Sequence, residues 1–333
     1  MTGRKKASCT VLLGALPLLI FGSSLAFSQQ SPKPVRIGVF MSGFEPFYAA
    51  HDRGLVAGFR EHGYIEGKNL IIERRYDHLD GKRYSVLAQE LAGMNLDAIV
   101  TVCTGTTQAA KDATNRTPIV MVAVPDPVGL GLAASLARPG GNVTGRSSQH
   151  FDLVPKILQM FHEAVPAAGR IAVLVNAPNP LHQQAWADAR AAAQTFNLEL
   201  IRIEMQESEG LDAALESVAK SNANALFVLP DDPATFNLRQ RIIAFARERA
   251  LPLLAPYREV VEDGALMSYG ESYEEAAQSV ALYVEKVVRG TRPAELPIMQ
   301  PTRFELTVNR KVAKELGITI PVSVLVQADR VIE

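Results

Sequence analysis

Nine residues stand at or just after the ends of hydrophobic runs that read as β-strands, and their side chains could hold a small polar molecule. They are Ser42, Phe44, Thr104, Thr106, Asp126, Asn176, Asp231, Tyr257 and Tyr269. In open parallel sheets, ligands bind outside the carboxyl ends of the strands, so these positions are the candidates for ligand binding. Thr104-Gly105-Thr106-Thr107 would open a helix, where hydroxyls, unpaired backbone N–H groups and the helix dipole suit a carboxylate. Asp126 or Asp231 would suit an ammonium group. The rings of Phe44, Tyr257 and Tyr269 could stack a flat or cationic group. Each of these residue types also serves as an ordinary N-cap or turn former, so the set argues more strongly than any member.

Signals for covalent chemistry are thin. Gly129-Leu130-Gly131-Leu132-Ala133-Ala134 matches a relaxed dinucleotide fingerprint. It follows Pro125-Asp126-Pro127 instead of opening from the first strand, so it reads as a turn before a short helix. No glycine-rich loop ends in a P-loop lysine, and no Gly-x-Ser-x-Gly elbow is present. The six histidines (His51, His62, His78, His150, His162 and His182) lack metal-ligand spacing. Cys103 follows the apolar run 98–102 and reads as a buried thiol, and Trp186 reads as a packing residue. The expectation is a binding protein without catalytic residues, metal or cofactor.

Alternating elements must position these candidates. Strand 35–41, helix 46–62, strand 69–74, helix 82–94, strand 97–102, helix 108–113 and strand 118–123 form a βαβαβαβ run, the pattern of a parallel sheet covered on both faces. The pattern then restarts with helix 152–165, in which Val154, Ile157, Leu158, Phe161 and Val165 recur at spacings of three and four. Strand 170–175, helix 181–196, strand 199–205, helix 211–220, strand 225–229, helix 236–249 and strands 253–255 and 266–268 follow. Arg138 to Gly145, dense in turn formers, lies between the two units and reads as the approach to a hinge. An amphipathic helix over 273–289, a strand over 304–309 and a short helix over 311–316 complete the chain. The fold class is therefore α/β, with two Rossmann-like parallel-sheet lobes.

The bulk numbers agree. A chain of 333 residues, 47% hydrophobic, supports two domains. Arg4-Lys5-Lys6, the apolar stretch 11–21 and small residues around Ala26 have the layout of a secretory signal peptide over 1–28, cleaved after Ser28 or alternatively Ala26. Pro17 and Gly22 further weaken a membrane-spanning reading. Cys9 precedes the apolar stretch, which argues against a lipid anchor, and its loss with the leader would leave Cys103 unable to form an intrachain disulfide. Without the leader, 31 Lys and Arg face 35 Asp and Glu, a balance with no bulk attraction to nucleic acid or anionic membranes.

Longer motifs carry a family resemblance. They are 126–132 with 135–145 (SLARPGGNVTG), 264–270 (GALMSYG), 300–306 (QPTRFEL) through Asn309, 313–317 (AKELG) and the closing 328–333 (ADRVIE). The chain resembles, from about Val35 to its end, the ABC-transporter substrate-binding family that includes tryptophan- and tyrosine-type binding proteins. The resemblance implies a type I periplasmic-binding-protein fold, two lobes joined by a multi-segment hinge and closing around a ligand. It also implies that helix 273–289 returns to the first lobe. Lobe 1 would then comprise 33–148 plus about 270–298, and lobe 2 would comprise 149–269, with the lobe of segment 299–333 left open. By strand-end position, the family's pocket falls on Thr104, Thr106, Asp126, Asn176, Asp231 and Tyr269. The expected function is a monomeric periplasmic receptor that binds an amino-acid-like or aromatic solute and delivers it to an ABC permease in the inner membrane. The other reading is a periplasmic ligand-binding sensor feeding a membrane signalling partner.

Overall fold

The computed structural model describes residues 1–3, 33–43, 48–78, 81–206, 208–230 and 232–333. The proposed leader therefore lies outside the described residues for nearly all its length, as do the site candidates Phe44 and Asp231. Among the described residues, no helix is long and apolar enough to cross a membrane.

The first sheet is built from β1 (Val35–Met41), β2 (Leu70–Tyr76), β3 (Ala98–Val102), β4 (Ile119–Val124) and β5 (Val143–Ser147) in the order β2-β1-β3-β4-β5, every pair parallel. Every residue of β3 and β4 is buried, as continuous apolar runs in a sheet covered on both faces require. Helices α1 (Ala49–Glu61), α2 (Tyr84–Gly93) and α3 (Thr104–Ala113) supply part of that cover.

The second half contributes α4 (Val154–Ala164), β6 (Arg170–Asn176), α5 (Pro180–Thr195), β7 (Glu199–Met205), α6 (Leu211–Lys220), β8 (Ala225–Val228), α7 (Pro233–Asn237), α8 (Arg239–Glu248), β9 (Leu253–Ala255), α9 (Arg258–Asp263) and β10 (Met267–Gly270). After α10 (Tyr273–Ser279) and α11 (Ala281–Val288) come β11 (Glu305–Asn309), α12 (Arg310–Glu315), α13 (Val322–Gln327) and β12 (Arg330–Ile332). The second sheet runs β12-β11-β10-β9-β8-β6-β7. Its one antiparallel pair joins β10 to β11, so the segment whose lobe the sequence left open completes the second sheet.

Helices α10 and α11 pack on the first sheet instead. Ala276, Ala277, Val280, Ala281 and Val284 share a core with Ile37 and Val39 of β1 and Leu55 and Phe59 of α1. Two glycines four residues apart make that contact close. A Cβ on Gly54 would lie 2.1 Å from the carbonyl oxygen of Glu274, and one on Gly58 would lie 2.4 Å from that of Gln278. Glycine inside a helix costs stability, but here the missing side chains let two helices approach.

Several local expectations change. The helix expected over 236–249 divides at Leu238, because Asp232 and Pro233 start an earlier helix as N-cap and first residue. The helix expected over 273–289 divides at Val280. The turn-rich segment before Gly145 runs into β5, a fully buried strand paired with β4. No helix follows the Gly129–Gly131 turn directly. Helices α9 and α13 and strand β12, each only a few residues long, were too short for periodicity to reveal.

The chain passes between lobes after β5, after β10 and before β11, and these crossings are tied to one another. Ser147 N donates to Met299 O (2.9 Å), and Met299 N donates to Gly145 O (2.9 Å). Arg146 pairs with the buried Glu271 at 2.5 Å, and Gln149 N donates to the other carboxylate oxygen of Glu271 at 3.3 Å. A buried ion pair of this kind fixes geometry more than it adds net stability.

Candidate functional site

The carboxyl ends of the first sheet face α7 and the aromatic residues of the second lobe across a small cavity. Tyr48, His51, Val102, Cys103 and Ala123 line it from lobe 1 and Asp232 and Pro233 from lobe 2, with Tyr273 at the junction. The space it encloses is about 20 Å³, room for a single water, and no lysine or arginine is among the described residues lining it. The lobes meet closely beside it. Gly43 has φ +112°, and a Cβ there would sit 2.5 Å from the side-chain nitrogen of Asn237 across the cleft. Only a residue without a side chain fits that approach.

Three local arrangements stand behind the lining residues. At the end of β1, Tyr84 Oη donates to Ser42 Oγ (2.8 Å), and Ser42 Oγ donates to Asp77 Oδ2 (3.0 Å). The backbone N–H of Gly43 donates to the other oxygen of the same buried carboxylate. Burial, followed by the nearby Cys103, raises the Tyr84 phenol, and burial raises that of Tyr48 likewise, so both hydroxyls remain protonated donors.

At the end of β3, the chain turns through Cys103 (φ +82°) into α3. Thr106 Oγ1 donates to Val102 O (2.6 Å) and Thr107 Oγ1 to Cys103 O (2.7 Å), bonds that shape the first turn. Thr104 Oγ1, by contrast, is buried without a hydrogen-bond partner among the described residues.

In the second lobe, Asn176 Nδ2 donates to Asp232 Oδ1 (3.0 Å), while that carboxylate caps α7 through Ala234 N (3.3 Å) and Thr235 N (3.2 Å). His182 orients this pair. Its Nδ1 accepts from Asn176 N (3.0 Å), which leaves Nε2 to donate to Pro230 O (3.0 Å). Burial lowers the pKa of His182 and favours the neutral ring that this pattern requires.

An aromatic cluster bridges the two sides. The Tyr48 ring lies 5.1 Å from His51 and 6.0 Å from Phe236; Tyr273 lies 4.3 Å from His51, 4.9 Å from Phe236 and 4.2 Å from Tyr257. His150 stands edge-on to Tyr257 at 5.0 Å. Both nitrogens of His51 are buried without a hydrogen-bond partner among the described residues, and burial lowers its pKa to about 3. The ring is therefore neutral at any physiological pH.

The model of the ABC transporter substrate binding protein family matches residues 35–332. The chain belongs to that family. It is 26% identical over 286 residues to a tyrosine-binding protein of Clostridioides difficile, covering 86% of this chain and 82% of the relative. A solved conserved domain protein from Vibrio cholerae is 28% identical and superposes with a TM-score of 0.82, covering 90% of this chain and all of the other. An ABC domain from Streptococcus pneumoniae in complex with L-Trp is 24% identical with a TM-score of 0.80, covering 89% of this chain and all of the other. These matches make the chain a substrate-binding protein, not an enzyme, with the two-lobed type I periplasmic-binding-protein fold.

Within this substrate-binding protein, the residues expected from strand ends are dispersed. Ser42, Thr104, Asn176 and Tyr257 take part in the arrangements just described, behind or beside the residues that line the cavity. Thr106 is beside the cavity, but its hydroxyl is committed to the backbone. Asp126 is exposed, and its Oδ1 accepts from Gly129 N (2.8 Å) within the turn after β4. Tyr269 is half-buried against the core that includes α4 and α5, with its ring 6.2 Å from Phe304. Asp77, Asp232, Tyr48, His51 and Tyr273 were absent from the expected set. The strand-end rule applied to β2 reaches Asp77, and Asp232 adjoins Asp231. Tyr48, His51 and Tyr273 lie on or beside helices, beyond that rule.

Proposed function

We propose that this substrate-binding protein is the periplasmic receptor of an ABC import system. An amino-acid-like or aromatic solute binds between the lobes and is delivered to a permease in the inner membrane, with the receptor exported by the leader over 1–28 and acting as a monomer. The observation that carries this reading is the cleft between the lobes, where aromatic rings, an acid and polar atoms without a hydrogen-bond partner among the described residues converge. Tyr48, Phe236, Tyr257 and Tyr273 supply flat apolar surface, and Asp232 is placed for an ammonium. With no cationic side chain on the cavity wall, a ligand carboxylate would rely on the Thr104 hydroxyl and backbone N–H groups at the start of α3. Tyrosine and tryptophan, named for the relatives, have this combination of groups.

Ligand binding would act by shifting the balance between lobe arrangements, and because the space here is about 20 Å³, a bound amino acid would hold the lobes further apart than they stand in this structure. A thermal-shift screen of the chain without its leader, against amino acids, aromatic acids and purines, tests the reading. A saturating ligand at about 100 times its Kd should stabilise the protein by about 2.7 kcal/mol. If no small molecule raises the melting temperature, the receptor reading is wrong.

A further inference from the structure

Burying a polar group without a partner costs about 1–3 kcal/mol, so a native fold that does so invites the question of what the group is for. His51 is such a group. It is 1% exposed, both ring nitrogens are without a hydrogen-bond partner among the described residues, and it lines the interlobe cavity. Its position is fixed by α1, whose glycine face is pressed against α10, and by the rings of Tyr48 and Tyr273 beside it. A neutral imidazole offers one N–H donor and one bare acceptor. The rest of that wall, Val102, Cys103 and Ala123, offers a ligand ring apolar or weakly polar contact.

We propose that His51 is a specificity-determining residue that reads a hydrogen-bonding group on the ligand's aromatic ring and selects against a plain phenyl ring. A phenol hydroxyl can donate to one imidazole nitrogen, or accept from the other; an indole N–H can donate to the bare nitrogen. A phenyl ring does neither and leaves His51 buried and unsatisfied, the situation in which a polar site discriminates most strongly. The ring stays neutral through the physiological range, so this selection would not vary with pH between about 5 and 8. The inference rests on the receptor reading and deepens it.

The test is titration calorimetry of the leaderless chain with L-tyrosine, L-tryptophan and L-phenylalanine. The unaltered protein should bind at least one of the first two about tenfold or more tightly than L-phenylalanine. His51→Phe should bring that ratio down to about two- or threefold, mainly by improving L-phenylalanine binding. It should also raise the ligand-free melting temperature by removing the unsatisfied group. As a check that needs no variant, the ring nitrogen resonances of His51 should shift with L-tyrosine or L-tryptophan and stay unmoved with L-phenylalanine. A ratio unchanged in His51→Phe, unmoved resonances with every ligand, or no binding of any of the three amino acids overturns the inference. Only a blank in the wider ligand screen would also overturn the receptor reading.

Discussion

Glu259, in the first turn of α9, should make the protein lose stability as pH rises. Its carboxyl is buried; Oε1 accepts from Tyr273 N (3.1 Å), and Oε2 has no hydrogen-bond partner among the described residues. Burial outweighs the neighbouring Arg258 and raises its pKa from an ordinary 4.5 to about 7. The folded state therefore holds the proton more tightly than the unfolded chain. Stability from this group is complete below about pH 4.5 and disappears as pH rises through about 7. The gap between the two pKa values corresponds to roughly 3 kcal/mol of stability. Glu259→Gln keeps the acceptor for Tyr273 N and abolishes the titration. Urea unfolding of both proteins from about pH 4.5 to about pH 8 should show near-equal stabilities at the acid end. The variant should be ahead by roughly 3 kcal/mol at the alkaline end, with the change centred near the upper pKa. A stability difference that stays flat across the range, or one that favours the native glutamate at high pH, would refute the reasoning.

Two further outcomes follow from close contacts. Gly54→Ala forces α1 away from α10 and should cost about 2–3 kcal/mol in urea unfolding, with the cooperative transition preserved. Asp126→Ala removes the turn bond to Gly129 and should cost about 1 kcal/mol while leaving ligand affinity unchanged; a large rise in Kd would instead place Asp126 in the binding site.

Much of the architecture was legible because it depends on local periodicity. The strand 35–41 and the helices of the first unit announce themselves through apolar spacing that the sheet must bury whatever it packs against. The strand-end rule leads to Ser42, Thr104, Asn176 and Tyr257, which stand around the cleft without lining the cavity, since a parallel sheet fixes where its loops gather. That rule could not distinguish an end that faces the other lobe from one that closes its own turn. Asp126 and Tyr269 satisfied it equally, yet one caps Gly129 and the other packs, half-buried, against the core that includes α4.

The sequence alone determined the alternation of strands and helices, the restart of that pattern in a second unit, and the family motifs. Tertiary structure alone decided that β11 and β12 complete the second sheet, because amphipathic segments do not encode which apolar face they meet; the return of α10 and α11 to the first sheet was implied by the family motifs and not by periodicity. It also decided the meaning of His51. In the sequence this is one polar residue in an amphipathic helix; in the fold, two buried nitrogens without a hydrogen-bond partner among the described residues stand beside a cavity enclosed by both lobes. Such a group acquires its energetic cost, and with it the capacity to discriminate among ligands, only when distant segments exclude water from around it.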